Sequence, residues 1–193
     1  MYNPKIEILK TKLLSDNWYL LNKVTFNYHK EDQTVETHIR EVYDRGNGAG
    51  ILLYNTSQKT VILIRQFRLP SFLNGNETGM MIEVCAGLLD KDNPEQCIIR
   101  EVEEETGYKI DTVQKVFETY VSPGAVTEIL HLFIGEYDPS MKISEGGGIA
   151  SEQENIEVFE IQFEEALAMV ERGEIRDSKT IMLLQYAKIN NLV

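Results

Sequence analysis

The residue pattern predicts an α/β (α+β) fold in which helices pack on a mainly antiparallel or mixed sheet. Three observations point there. The first 45 or so residues are extended in character, a VILI run further on suits a strand buried on both faces, and helices with clear start and stop signals separate the later strands.

Residues 18–28 (WYLLNKVTFNY) are rich in aromatic and aliphatic side chains, and 34–43 (TVETHIREVY) alternate loosely, as strands do. Gly46, Gly48 and Gly50 punctuate the chain before a strand at 51–55, and the VILI run lies within a strand at 60–68. Residues 80–86 form a further candidate strand. Asn93-Pro94-Glu95-Gln96 then announces a helix, with Asn93 as N-cap, Pro94 at the first position and Gln96 reaching back. That helix runs to about Thr106, where Gly107 stops it. Strands follow near 113–121 and 128–136, the second setting Ile129, His131 and Phe133 opposite Leu130, Leu132 and Ile134. Gly146, Gly147 and Gly148 read as a hinge, followed by a strand at 156–163 and helices near 164–172 and 178–190.

At 193 residues, 42% hydrophobic and 26% charged, the chain can bury a substantial core. Its 31 acidic against 19 basic residues give a net charge of -12, and no Lys/Arg-rich run offsets it, which argues against nucleic acid and anionic membranes as partners. The opening MYNPKIEILKTKLL lacks the basic start and apolar block of a signal peptide, and no apolar run approaches a bilayer span, so a soluble, cytoplasmic protein is expected. Cys85 and Cys97 make neither a disulfide framework nor a C-x-x-C pair and read as buried apolar residues. His29, His38 and His131 lack metal-ligand spacing, and neither a P-loop nor a G-x-S-x-G is present.

The chemistry concentrates in Arg100-Glu101-Val102-Glu103-Glu104-Glu105-Thr106-Gly107. At about 100° per residue, Glu101, Glu104 and Glu105 share one helix face, while Ile98, Ile99 and Val102 occupy the adjoining face and can anchor the helix to the sheet. Like charges so placed repel one another, and a hard divalent cation, Mg²⁺ or Mn²⁺, is the natural counterweight. A glutamate-rich helix alone is most often a solvated face; what distinguishes this one is spacing.

The string resembles the Nudix box, G-x(5)-E-x(7)-R-E-U-x-E-E-x-G-U, opened by Gly87 and completed by Arg100, Glu101, Val102, Glu104, Glu105, Gly107 and Tyr108. Two departures stand out. Gly87 and Arg100 are one residue closer than the pattern asks, and its first glutamate is replaced by Asp92 counting backward or Asn93 counting forward. The resemblance implies a metal-dependent hydrolase of the ADP-sugar type, with Glu101 and Glu105 as main ligands, Glu104 assisting, the Ala86 carbonyl coordinating and Arg100 orienting the carboxylates. A further acid is implied from the loop after the triple glycine, Glu154 first and Glu152 second, as ligand or base. Ser122-Pro123-Gly124, with Pro123 sixteen positions after Gly107 and Glu128 following, resembles the mark of the ADP-ribose and nucleoside-diphosphate-sugar branch.

Beyond the box the resemblance extends over nearly the whole chain to bacterial GDP-mannose pyrophosphatases, through residues 14–17, 40–48, 65–68, 74–77 and 173–177. It implies a Nudix fold, a mixed sheet sandwiched between helices over 46–193, with an N-terminal antiparallel β extension over 1–45 that makes a homodimer and contacts the substrate base. Arg40, Glu41 and Arg68 would hold the nucleotide and its phosphates, Trp18 the base across the dimer, and Glu128 and Lys179 would face the substrate. Ile39, Ala86, Gly87, Leu88 and Gln153 complete the implied substrate contacts. The expected reaction is hydrolysis of GDP-mannose to GMP and mannose 1-phosphate. The alternatives are an ADP-ribose or ADP-sugar pyrophosphatase and, from another class, a non-catalytic nucleotide-sugar sensor.

Overall fold

The computed structural model describes residues 1–89, 93–149 and 155–193. They divide into two compact units, Met1–Asn47 with Tyr120–Ile129, and Gly48–Thr119 with Leu130–Val193.

The first unit is a three-stranded antiparallel sheet, β1 (Lys5–Asp16), β2 (Leu20–His29) and β3 (Val35–Asp44), in that spatial order. β2 and β3 pair without a break from Leu20↔Asp44 to His29↔Val35. β1 pairs with β2 from Lys5↔His29 to Asp16↔Leu20, with irregularities between Ile8 and Lys10 and between Leu13 and Ser15. Residues 120–129 attach to the end of β3. The Tyr43 N–H donates to the Ala125 carbonyl at 2.8 Å, the Thr127 N–H to the Tyr43 carbonyl at 3.1 Å, and the Thr127 hydroxyl to Asp44 at 2.9 Å.

The second unit contains β4 (Gly48–Asn55), β5 (Thr60–Phe67), α1 (Leu69–Leu73), β6 (Met80–Glu83), β7 (Cys85–Leu88) and α2 (Pro94–Glu101). β8 (Gln114–Tyr120), β9 (Ile129–Glu136), β10 (Glu157–Gln162), α3 (Phe163–Glu171) and α4 (Ser178–Ile189) follow in the chain. The seven-stranded sheet has the order β10-β5-β4-β9-β8, with β6 also on β5 and β7 on β4. It is mixed, because β4 runs parallel to β9 and antiparallel to β5 and β7.

Alternation along β4 shows how helices cover both faces. Ala49, Ile51 and Leu53 join one buried cluster with Ile98 and Val102 of the α2 segment. Gly50, between them, points the other way: a Cβ there would lie 3.6 Å from the Lys179 Cδ of α4. The central strand is thus clamped between α2 and α4, a mixed sheet sandwiched by helices.

Several elements differ from the pattern read in the sequence. β4 begins at Gly48 rather than at Ile51, so Gly48 and Gly50 belong to the strand while Gly46, at φ 79°, precedes it. The single strand expected at 80–86 is two, since β6 pairs with β5 while β7 crosses to β4. The junction residue Val84 is fully buried, and its N–H donates to the Thr180 hydroxyl of α4 at 2.8 Å. Helix α1 and strand β1 were not singled out, α1 being a single short turn with no buried residue. The helix expected to stay α-helical to Thr106 changes to a π-helical turn over Val102–Thr106, ended by Gly107 at φ 76°.

The triple glycine is not a hinge but a cap. Gly146, Gly147 and Gly148 all have positive φ, and the N–H groups of Gly147 and Gly148 donate to the carbonyls of Glu105 (2.8 Å) and Glu104 (3.2 Å). A Cβ on Gly146 would stand 2.3 Å from the Glu105 carbonyl oxygen, so the loop reaches these carbonyls only as glycine. A helix end leaves carbonyls without partners, and this loop satisfies them.

Candidate active site

The α2 segment is set before its carboxylates come into play. The Asn93 side chain accepts from the Gln96 N–H at 2.9 Å, Pro94 fills the first turn, and Cys97, Ile98 and Val102 are fully buried. This fixes which glutamates face inward. Glu103 is exposed, Glu101 and Glu104 are half-buried, and Glu105 is only 2% exposed. Arg100 lies 3.0 Å from Glu101 and donates to Glu104 at 2.8 Å, so one guanidinium offsets part of the repulsion along this face.

The inward carboxylates meet β7 at two consecutive residues. The Ala86 N–H donates to Glu105 Oε2 at 3.1 Å. The Glu101 carboxylate lies across Gly87 so closely that a Cβ at position 87 would be 2.2 Å from its Cδ. A glycine is needed here for close approach rather than for backbone freedom. Leu88 follows on the same strand and accepts the Cys97 thiol at its carbonyl, at 3.3 Å. Cys97 and Cys85 are both free and buried, and burial together with Glu105 pushes the Cys85 thiol well up.

This donor set fits a hard divalent cation. It offers carboxylate oxygens from one helix face beside a strand backbone, and Mg²⁺ is commonly held by one or two carboxylates while keeping several waters. Among the described residues no group of three or more His, Cys, Asp or Glu side chains gathers to hold a metal. Glu152, Gln153 and Glu154 lie outside the described residues, as does Asp92.

Beside these carboxylates lies a charge network that the sequence did not reveal. Glu83, the last residue of β6, is 3% exposed. Arg68 grips it with two parallel bonds, Nε to Oε1 at 2.9 Å and Nη2 to Oε2 at 3.0 Å. Lys179 Nζ adds a bond to Oε2 at 2.5 Å and lies 3.1 Å from Asp177. Asp177 is the N-cap of α4, accepting from the N–H of Thr180 at 3.0 Å and from its hydroxyl at 2.6 Å. Burial alone would raise the Glu83 carboxyl, but the Lys179 ammonium and the Arg68 guanidinium outweigh it and bring it down to about 2. Arg68 and Lys179, expected to face a substrate, are thus both held by Glu83, and Arg68 also feels the charge of Glu105. One sign of this was available: Glu83 is the lone charge in the apolar run 80–86, and a charge in a buried strand requires a partner.

The remaining expected residues belong to the first unit. Trp18 is 83% exposed and meets Tyr19 edge-on, with ring centroids 6.3 Å apart. Ile39 and Glu41 are exposed, and Arg40 Nη1 donates to the Ile39 carbonyl at 2.8 Å. Glu128 is buried, with Arg45 Nε at 3.6 Å, and the Arg45 guanidinium sits 5.6 Å from the Tyr19 ring centroid. Arg45 was not anticipated, because an isolated arginine carries no pattern.

Comparison with known proteins adds two family matches. Residues 5–43 match the GDP-mannose pyrophosphatase NudK N-terminal domain, and residues 44–184 match the NUDIX domain. The GDP-mannose pyrophosphatase of Yersinia enterocolitica is 56% identical over 189 residues, covering 98% of each chain. That of Yersinia pestis (strain Pestoides F) is 58% identical over 186 residues, covering 96% of this chain and 93% of the other. That of Escherichia coli O1:K1 / APEC is 53% identical over 189 residues, covering 98% of each chain.

Gly87→Ala tests the close approach. The added methyl meets the movable end of a side chain rather than backbone, so the thermal midpoint should hold while Mn²⁺ affinity, measured by calorimetry, falls about tenfold or more. Unchanged affinity would place the metal elsewhere.

Glu83 makes a second prediction, for stability against pH. Its folded pKa is depressed, so its contribution is present above the unfolded value near 4.5 and is lost as pH falls toward about 2. Urea unfolding between pH 6 and pH 3 should therefore show wild type losing more stability than Glu83→Gln, by roughly 2 kcal/mol. Parallel curves would contradict the depressed pKa.

Proposed function

The chain belongs to the NUDIX domain family, and from that premise we propose that it hydrolyses the diphosphate of a nucleoside diphosphate sugar, GDP-mannose giving GMP and mannose 1-phosphate. The observation that carries the reaction class is the convergence of Glu101 and Glu105 on Ala86 and Gly87. The substrate is supported by relatives named GDP-mannose pyrophosphatase at 53% to 58% identity over nearly the full chain.

In this reading Glu101 and Glu105 hold the divalent ion, Mg²⁺ or Mn²⁺, with the Ala86 carbonyl, while Glu104 and Arg100 keep the carboxylates apart and oriented. The bound ion would neutralise diphosphate oxygens and make water a better nucleophile. Arg68 and Lys179 supply cationic contacts to the phosphates, and Glu154, with Glu152 as substitute, supplies the further acid. Ile39, Arg40, Glu41, Glu128, Leu88 and Gln153 complete the nucleotide-sugar contacts. The water oxygen ends on one phosphorus as the bridging oxygen leaves with the other.

The first unit serves as the dimerisation element, placing Trp18 against the base bound by the partner subunit. This is supported by the aliphatic side chains that its sheet leaves exposed, including Ile6, Ile8, Leu13, Val35 and Ile39. The cytoplasm fits the two free thiols, and no helix among the described residues is long and apolar enough to cross a membrane.

The deciding experiment is product analysis with GDP-mannose and with ADP-ribose, each with and without Mg²⁺. Metal-dependent GMP and mannose 1-phosphate are expected, with slower AMP release from ADP-ribose. Faster AMP release would transfer the protein to ADP-ribose, and turnover of neither would leave a binding role. Glu105→Gln should remove most turnover, by about a hundredfold or more, with folding retained. Light scattering coupled to size exclusion should give twice the 22.1 kDa chain mass; a monomer would refute the dimer.

A further inference from the structure

Glu83 has no place in the reaction just described, yet it is the most heavily engaged charged group beside the box. It lies three residues before Ala86, is 3% exposed, and binds both cations expected to meet the phosphates. We propose that Glu83 is a positioning residue that sets Arg68 and Lys179 as one paired clamp for the substrate diphosphate. The inference rests on the reading of the site given above.

The geometry divides the donors of each cation. A guanidinium carries five N–H groups in a rigid fork. Glu83 takes the Nε–H and one Nη2–H of Arg68, so the other edge, built from Nη1 and the far side of Nη2, is presented at a fixed angle. That second edge matches two phosphate oxygens as the first matches a carboxylate. Lys179 uses Nζ toward Glu83 and Asp177 and has a third proton to offer. The two positive charges are balanced by Glu83 and, at Lys179, by Asp177, so what the cluster offers an anionic diphosphate is its oriented remaining N–H donors rather than a net charge.

Glu83 also prevents two collapses. Without its charge, the partly solvent-exposed Arg68 and the buried Lys179 cations repel one another. Arg68, which already feels Glu105, would be drawn toward that carboxylate and compete with the metal. A carboxylate whose only task was to tie β6 to α4 would not need to grip Arg68 as well, since Thr180 already bonds Val84 across the same junction.

The test is a double-mutant cycle on Glu83→Gln, Arg68→Met and the pair together, with two readouts. Calorimetry measures binding of inorganic pyrophosphate with Mg²⁺, and kinetics gives KM and kcat for GDP-mannose. Glu83→Gln should weaken pyrophosphate binding and raise KM about tenfold or more, and the double variant should be worse than Arg68→Met by much less than that factor, since only the part of the effect that runs through Lys179 is left to lose. Glu83→Asp, which keeps the charge but draws it back, should fall between wild type and Glu83→Gln, and it carries the test if Glu83→Gln fails to fold. Additive effects, a KM within twofold of wild type, or a wild type that does not bind pyrophosphate would overturn the proposal. If wild type cleaves neither GDP-mannose nor ADP-ribose but Glu83→Gln still weakens pyrophosphate binding, the functional reading falls while the clamp stands.

Discussion

Two carboxylates, Glu83 at 3% exposure and Glu105 at 2%, are buried within a few residues of one stretch of strand, and much of the second unit is shaped by the need to satisfy them. Removing an ion from water costs several kcal/mol even after relaxation, so carboxylates this deep require close partners. Glu83 has Arg68 and Lys179, and Glu105 has the backbone N–H of Ala86. The break at Val84 allows both solutions in one short run. Before it, β6 ends on a residue that engages α4; after it, β7 offers its backbone to α2 and its π-helical extension. An unbroken strand would have kept one pairing partner throughout.

The helix end is also distorted. Four of the five residues from Glu101 to Glu105 are glutamates, and over Val102–Thr106 the turn is a π-helix, a local geometry often found at functional sites. Widening leaves carbonyls in need of donors. The Thr106 hydroxyl returns to the Val102 carbonyl at 2.6 Å, and the glycine loop serves Glu104 and Glu105 from outside. The backbone of both glutamates is therefore held by a loop that runs directly on toward Glu152 and Glu154 in the sequence.

What could be read in the sequence was local and periodic. The glutamate face, the Asn93 cap, the Gly107 stop and the buried VILI strand each have a signature within a few residues, and each appears in the structure. What escaped depends on partners distant in the chain. Whether 80–86 is one strand or two is decided by whether β5 or β4 lies alongside, and the π-turn by a loop forty residues on. β1 has the residues of a strand, but nearly all of them are exposed, so burial left no strong alternation to read. Glu83 was visible only as an unexplained charge; its meaning lies in Arg68 and Lys179, fifteen residues before it and ninety-six after.

The attachment of residues 120–129 to the end of β3 bears on how this chain can be altered, by experiment or by descent. The two family matches abut between residues 43 and 44, within β3 itself, which suggests a clean seam. The hydrogen bonds say otherwise, because Tyr43 exchanges backbone bonds with Ala125 and Thr127, well inside the NUDIX match. Excising the amino-terminal segment, or grafting it onto another catalytic body, would strand that later loop with open backbone groups. The two stretches form a single structural unit, written in separate places, in which a change of length or register in one calls for a matching change in the other.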